Sequence, residues 1–566
     1  GKVVRLVDPL GRTVSYKYAP NKIDLLEARQ TRGSNNVLLA SFEYDNKHNK
    51  TLFVDAAGNT TRFEYNKLGE LTKTIDTGKN IWSSVYDEKG YLRSNNGPLG
   101  ASNNLWKYDH DSFGRLRTRI NVDGHAVSFD YDNADRLIKM TYEDGTCELI
   151  KYDKLDAVFF QDRAGRITKR NYDSLERMVS ITDPLGRRSN YEWCTCGALR
   201  KLIDPAGHAT QWHHDIQGRI IQKKFADETE ITFEFEQGGS RLITRTDALK
   251  QKTNYSYNLD NTIAEIDFEN AVNPTSSIKY SYDRDYPRLI SASNALGTIA
   301  FDYGSMEPKP GAGLLKSISS SNVPHSKISF EYDAAGRIIS RAIDGDANAV
   351  TRRYDALSRL VSDTSVLGEF KFEYKATPNV GSSQLLNISY PNGLTTKFKY
   401  NDSNGEDRLQ SIISSSSRVN SQFDYSYDKV GQIVNWQEDF GGKTSNNLAL
   451  SYDATGQLTD AINQSTSTEA VPQRSYHYDY DVVSNRTLVK TGDSIRESGY
   501  NSMNELISLA NANAATKNEN AIGQSQELKY DANGNLLSDG EKTYKWDAEN
   551  RLIQIAYGNS GNRTEF

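Results

Sequence analysis

Aromatic and polar residues alternate in short runs along the whole chain. Phe42-Glu43-Tyr44, Phe63-Glu64-Tyr65, Phe129-Asp130-Tyr131, Phe330-Glu331-Tyr332, Phe372-Glu373-Tyr374 and Phe398-Lys399-Tyr400 each set two rings two positions apart. A period of two puts both rings on one face of a β-strand and the charged residue on the other. Aromatic residues suit such a half-buried pleated surface.

Each run leads into a turn phrase, Tyr-Asp-x-x-Gly-Arg-Leu or a near copy. Tyr332-Asp333-Ala334-Ala335-Gly336-Arg337-Ile338 is a full instance. Others are Tyr86-Asp87 with Gly90, Tyr354-Asp355 with Arg359, Tyr427-Asp428 with Gly431, Tyr452-Asp453 with Gly456, and Tyr530-Asp531 with Gly534. The Asp opens a tight turn, the Gly supplies the positive φ it needs, and the next strand starts at Arg-Leu or Arg-Ile. A second turn separates these, reading Asp-Pro-Leu-Gly-Arg at Asp8–Arg12 and Asp183–Arg187. Looser copies begin at Asp55, Asp162 and Asp204.

The tyrosines set the period. Tyr65, Tyr86, Tyr108, Tyr131, Tyr152 and Tyr172 follow one another at 20 to 23 residues; Tyr374, Tyr400, Tyr427, Tyr452, Tyr478 and Tyr500 at 22 to 27. A unit of two strands and two turns predicts on the order of 50 short strands in one all-β repeat array over residues 1–566. So many strands cannot lie flat, because strands twist and large sheets curl, split or close. A solenoid, a propeller and a spiralled shell all satisfy this. Three stretches break the period and read as loops or insertions: 304–313, 411–420 and 510–524.

Composition changes this picture only in detail. The chain is 37% hydrophobic with 33 tyrosines, which suits a thin wall whose repeats pack only on neighbours. Tyrosine serves there because its ring can pack while its hydroxyl stays solvated. A net charge of −6 gives no nucleic-acid footprint. The turn arginines travel with aspartates, which reads as local pairing and ring stacking. No run of 18 apolar residues predicts a membrane span. Both ends fall within or just after a repeat, as expected of part of a longer polypeptide.

Candidate chemistry is sparse. His213-His214-Asp215 is the most enzyme-like string, yet His214 falls at the tyrosine position and Asp215 at the aspartate position of a repeat. In Cys194-Thr195-Cys196-Gly197, both thiols fall in a turn after Trp193. They read as free thiols or an oxidised turn, with a metal held by Cys194, Cys196, His208 and His213 as the weaker alternative. Cys147 stands alone. Acidic residues occur in every repeat, so no catalytic pair stands out, and no phosphate loop, zinc-protease helix, dinucleotide fingerprint or nucleophile elbow is present. Neither cofactor nor catalytic residue is expected.

The accumulated motif closely resembles the YD-repeat, or Rhs (rearrangement hotspot), family over nearly the whole chain. Trp546-Asp547-Ala548-Glu549-Asn550-Arg551-Leu552 resembles the family's last repeats. Members include bacterial polymorphic toxins, the B and C components of Tc toxin complexes, wall-associated proteins and teneurins. The resemblance implies a long strip of antiparallel hairpins spiralling into a hollow β-shell. In toxin members the shell encloses a C-terminal effector, and a core segment with a self-cleaving aspartyl protease plugs one end. Neither that segment nor its catalytic residues has a counterpart after residue 552, so no site is carried over. The resemblance points to a non-catalytic shell shielding a toxin or effector passenger, working with delivery proteins, and secreted, surface-bound or held until export. The alternatives are a cell-surface adhesin binding glycans through aromatics, and an enzyme acting on polysaccharide or peptide.

Overall fold

In the computed structural model, 51 strands follow one another with no α-helix among the described residues. Those residues are 2–32, 35–98, 106–375, 382–401, 406–441, 443–464, 475–492, 494–513, 525–558 and 561–565. Forty-six strands form one sheet and the last five a second. Within each sheet every strand pairs antiparallel with its neighbours in sequence, from Arg5–Val7 against Thr13–Tyr18 onward, and the one break falls between Gln526–Glu527 and Lys529–Tyr530. The product is a ribbon one strand-length wide. The first strand has no partner on its outer side among the described strands, so the sheet does not close by backbone pairing.

The two edges of the ribbon differ. One carries the Tyr-Asp turns, the other the second row of turns. Both rows share one backbone: the first turn residue donates to the fifth, as Asp333 N to Arg337 O at 3.0 Å, and the fourth donates back, as Gly336 N to Asp333 O at 3.0 Å. This is a tight turn followed by a bulge, which requires positive φ at the fourth residue. Gly336 has φ +74° and Gly90 φ +89°; at Asp135, Glu176 and Ser358 a side chain tolerates the same region. Each Asp serves as the cap, its Oδ1 accepting two backbone N–H groups, from Ala335 and Arg337 in the Asp333 turn.

Within a repeat the strands stay paired to the tyrosine, Tyr332 opposite Ile338. Between repeats they part early: pairing of Ile338–Ile343 with Ala349–Tyr354 stops at Ser340 opposite Thr351. The Ile338 carbonyl is left without a ladder partner, and the Tyr354 hydroxyl donates to it at 2.9 Å. The same bond recurs from Tyr65, Tyr86, Tyr332, Tyr452 and Tyr530 to the carbonyls of Lys50, Leu71, Leu315, Ile433 and Leu506. Trp193 and Trp546 make it through Nε1, to Met178 and Leu536. The hydroxyl is therefore engaged, not solvated as composition suggested, because the parted strands expose a carbonyl that must be satisfied.

Two tyrosines of the periodic series are displaced by this geometry. Tyr480, not Tyr478, donates to the Leu458 carbonyl. His110, not Tyr108, precedes the turn, since Asp111 and Gly114 close it. Of the period-breaking stretches, 304–313 is a loop between strands. Residues 411–420 are instead a hairpin, Leu409–Ser415 paired with Asn420–Tyr427, because the serines continue the ladder and only Ser416–Val419 turn. In 510–524 the strand Leu506–Asn513 continues to residue 513, and 514–524 lie outside the described residues.

Burial follows from a single-layer wall. Among the described residues the buried apolar ones are Tyr286, Ala342, Leu448, Ala461 and Ala548, and the side chains buried most completely, Asp247, Ser180, Ser362 and Ser382, are polar. The accessible surface is 33172 Å², against roughly 20,000 Å² for a compact monomer of this mass. In a strand such as Thr60–Tyr65 the Phe63 and Tyr65 face is half-buried, and Arg62 and Glu64 are exposed. Replacing Tyr354 by Phe keeps the ring and deletes the donor; we expect a loss of about 1 kcal/mol, read by chemical denaturation, with faster amide exchange in 338–354 and an unchanged far-ultraviolet spectrum.

Candidate functional surface: the seam between windings

Polar side chains join residues far apart in sequence at a consistent interval. Arg12 Nη2 meets Asp260 Oδ2 at 2.5 Å, 248 residues on. Arg166 Nη1 reaches Gln432 Oε1 at 3.1 Å, separated by 266, and Arg187 Nη1 reaches Gln457 Oε1 at 3.2 Å, separated by 270. Asn533 Nδ2 donates to Asp247 Oδ2 at 2.7 Å across 286 residues. In each pair one residue belongs to the second row of turns and its partner to a later Tyr-Asp turn. The ribbon thus winds until one edge meets the other, and a winding takes about 250 to 290 residues. The seam runs from Arg12 to Thr275, whose Oγ1 accepts the Ala548 N–H at 2.9 Å.

The seam is polar and closely fitted. Arg12 and Asp260 are 8% and 5% exposed; Asp247 is 1% exposed and Ser382 likewise. The densest cluster joins the Asn121–His125 turn to the segment after Tyr400. His125 Nε2 lies 2.5 Å from Asp407 Oδ2, while Lys375 Nζ lies 3.1 Å from Asp123 Oδ1 and 3.2 Å from Asp407 Oδ1. Ser382 Oγ donates to Asp123 Oδ2 at 3.2 Å, and Arg163 pairs with Glu406. Buried charges of this kind must be paired and hydrogen-bonded. Where Arg166 and Arg187 arrive, the later turns carry Gln432 and Gln457 in place of the usual Arg, which gives the incoming cation an acceptor.

The recurring motif residues have structural partners. Arg337 Nε donates to Asp333 Oδ2 at 2.7 Å, and its guanidinium lies over the next tyrosine, Tyr354, 4.8 Å from the ring centre. Arg359 does the same with Asp355 at 2.6 Å and Tyr374 at 4.6 Å. Asp87, Asp453 and Asp531 cap their own turns without a motif arginine, and Gly456 and Gly534 hold φ +89° and +85°. The Arg177 side chain holds the Asp173 carboxyl below the ordinary carboxylate range. Burial pushes the Tyr332 phenol up.

The candidate ligands are not brought together. Cys194 and Cys196 are joined as a disulfide within one turn. His208 Nδ1 lies 3.2 Å from Asp204 Oδ2, and His213 is exposed on the strand Ala209–His214. His214 precedes a turn in which Arg219 pairs with Asp215 at 2.6 Å. No group of three or more His, Cys, Asp or Glu among the described residues is placed to hold a metal, and no described helix is long and apolar enough to cross a membrane. The seam itself was not anticipated. The glutamines at 432 and 457 were its one local signal.

A ribbon of antiparallel hairpins, wound edge to edge, defines the YD-repeat β-shell class. The teneurin YD-shell model matches residues 241–464 and 406–563, and the RHS repeat model matches 86–146. The chain belongs to the YD-repeat (Rhs) family. Double-stranded DNA deaminase toxin A of Burkholderia cenocepacia (strain H111) is 25% identical over 514 residues, covering 88% of this chain and 29% of that protein. Probable deoxyribonuclease RhsB of Dickeya dadantii (strain 3937) is 24% identical over 158 residues, 28% of this chain and 11% of the relative. The crystal structure of TcdB2-TccC3-Cdc42 superposes with a TM-score of 0.59 at 12% identity, over 98% of this chain and 39% of that one. The Photorhabdus luminescens Tc holotoxin pore gives 0.60 at 14% identity, over 98% and 29%. The chain thus spans less than a third of the curated relatives it matches, and the solved structures share its fold.

In a double-mutant cycle of Arg12→Ala and Asp260→Ala, we expect a coupling energy on the order of 1–3 kcal/mol; a value near zero means that the windings do not meet there. The Asp87, Asp173 and Asp260 carboxyls are all held below the ordinary range. The largest cause is the Tyr91 backbone N–H for Asp87, the Arg177 side chain for Asp173 and the Thr262 hydroxyl for Asp260. Depressed folded values mean that this stabilisation is full above about pH 4 and drains as pH falls through them. Melting temperature should therefore be nearly flat from pH 7 to 5 and fall below 4.

Proposed function

We propose that this ribbon is the wall of a shell that encloses a toxin or effector passenger and keeps it from the producing cell until delivery. The supporting observation is the seam: edge-to-edge contact between successive windings turns an open strip into a continuous barrier. The relatives support it too, since one is named a deaminase toxin and another a deoxyribonuclease, each far longer than the region this chain matches. In this reading the wall does no chemistry. Its partners are a C-terminal passenger and a delivery apparatus, and it acts on secretion or at the cell surface. The adhesion reading is weaker, because the corner tyrosines spend their hydroxyls on backbone carbonyls.

Scale constrains the cargo. Strands lie ~4.8 Å apart, so a winding of about two dozen has a circumference on the order of 110 Å and a mean diameter of roughly 35 Å. Subtracting a wall about 10 Å thick leaves a bore of roughly 25 Å. A folded 100-residue domain has a radius of gyration of about 13 Å, so it would fill or exceed such a bore. The passenger of this stretch of wall is then held loosened rather than compactly folded.

The test uses the full-length protein. Small-angle scattering should show the interior-density deficit of a hollow particle. The passenger should resist protease while the wall is intact and become cleavable when Arg12, Asp260 and Asp247 are replaced together. A solid-particle profile, or a passenger cleaved at equal rate in both proteins, would overturn the reading.

A further inference from the structure

The turn Cys194-Thr195-Cys196-Gly197-Ala198 has the backbone of the aspartate turns: Cys194 N donates to Ala198 O at 2.9 Å, and Gly197 N to Cys194 O at 3.1 Å. Cys194 stands where other copies carry Asp. Its Sγ lies 3.1 Å from the Cys196 amide nitrogen and 3.4 Å from that of Ala198. In the Asp87 turn the equivalent donors, Lys89 and Tyr91, reach Oδ1 at 2.9 Å each. That copy also lacks an arginine in fifth position, yet its carboxyl is held below the ordinary range. The Tyr91 N–H is the main cause, acting against desolvation and helped by the Lys89 N–H and, less, by the charges of Arg93 and His110. The slot occupied by Cys194 Sγ is therefore built to hold negative charge. Arg177, from the preceding Tyr-Asp turn, donates to the Cys194 carbonyl at 3.0 Å while it stays paired with Asp173. Cys196 is exposed, whereas Cys194 is half-buried.

We propose that Cys194 and Cys196 form a thiol–disulfide exchange site, in which a low-molecular-weight thiol attacks the exposed Cys196 sulfur and Cys194 departs as a thiolate held by two backbone N–H groups. In the first step the incoming thiolate bonds to Cys196 Sγ, the Sγ–Sγ bond breaks, and its electron pair stays on Cys194 Sγ. In the second, another thiolate attacks the small-molecule sulfur of the mixed disulfide. A small-molecule disulfide leaves, and Cys196 Sγ keeps the pair and takes a proton from water. Two thiols are oxidised and the protein pair is reduced by two electrons. A thiol that leaves as a stabilised anion leaves faster. The reduced turn keeps its shape, because the Cys194 thiolate performs the capping that Asp performs elsewhere.

The intact chain treated with glutathione, trapped with iodoacetamide and mapped by peptide mass should carry glutathione on Cys196 and the alkyl group on Cys194. Glutathione found mainly on Cys194, or a pair that glutathione does not open, would overturn the assignment. A second measurement isolates the slot. With Cys147→Ser and Cys196→Ser, the remaining Cys194 should ionise, by thiolate absorbance, at least one pH unit below the ordinary thiol value of about 8.5. With Cys147→Ser and Cys194→Ser, Cys196 should ionise near that value. Equal midpoints for the two thiols would refute the slot.

Discussion

The hydrogen bond that most corner tyrosines make to a carbonyl of the preceding repeat is the constraint on which the rest of the wall depends. Strands within a repeat stay zipped to the turn, but strands of adjacent repeats part before reaching it. Fully zipped repeats would make a flatter ribbon, and fully parted ones would leave a buried carbonyl on every unit. A phenol is long enough to span the gap, rigid enough to cost little entropy and apolar enough to fill it. Indole does the same at Trp193 and Trp546. At Phe235, which has no donor, the guanidinium of Arg219 covers the ring at 4.4 Å.

The ribbon's two edges do different work although their turns are alike in backbone and share the Asp–Arg pair, as Arg12 with Asp8 and Arg337 with Asp333. On the tyrosine edge the Asp–Arg pair turns inward on its own repeat and the next ring. On the other edge the fifth residue reaches outward to the following winding. A hydrophobic seam would bury more area, but it would also leave two long apolar edges exposed until they met, which invites association between chains. A polar seam gives less energy per contact and more control over register, since each arginine must meet an acceptor on the facing turn.

Much of this was legible in sequence. Alternating aromatics gave the strands, the Asp and Gly spacing gave the turns, and the period excluded a compact core. Reading went astray where a second tyrosine or aspartate lay nearby: Tyr108-Asp109 and Tyr478-Asp479 mimic the motif, but the positive-φ residue three positions after the capping aspartate decides the frame. The serines near 414 looked like a loop because they lack apolar character, although their backbones extend a hairpin. The seam was out of reach for a different reason. Its partners lie 243 to 286 residues apart, and their pairing depends on how many strands make one winding, a property of ribbon curvature that no local pattern encodes.

The winding interval also sets an order of assembly. Every backbone pairing joins neighbours in sequence, so each hairpin can form as soon as its two strands exist, with little loop entropy to overcome. Seam contacts cannot form until a whole winding has been made. A chain emerging residue by residue would first lay down a curved strip and only then meet its own earlier edge, which serves as the template for the second winding. Closure in such a protein is a late event, timed by chain length rather than by the strength of any one contact.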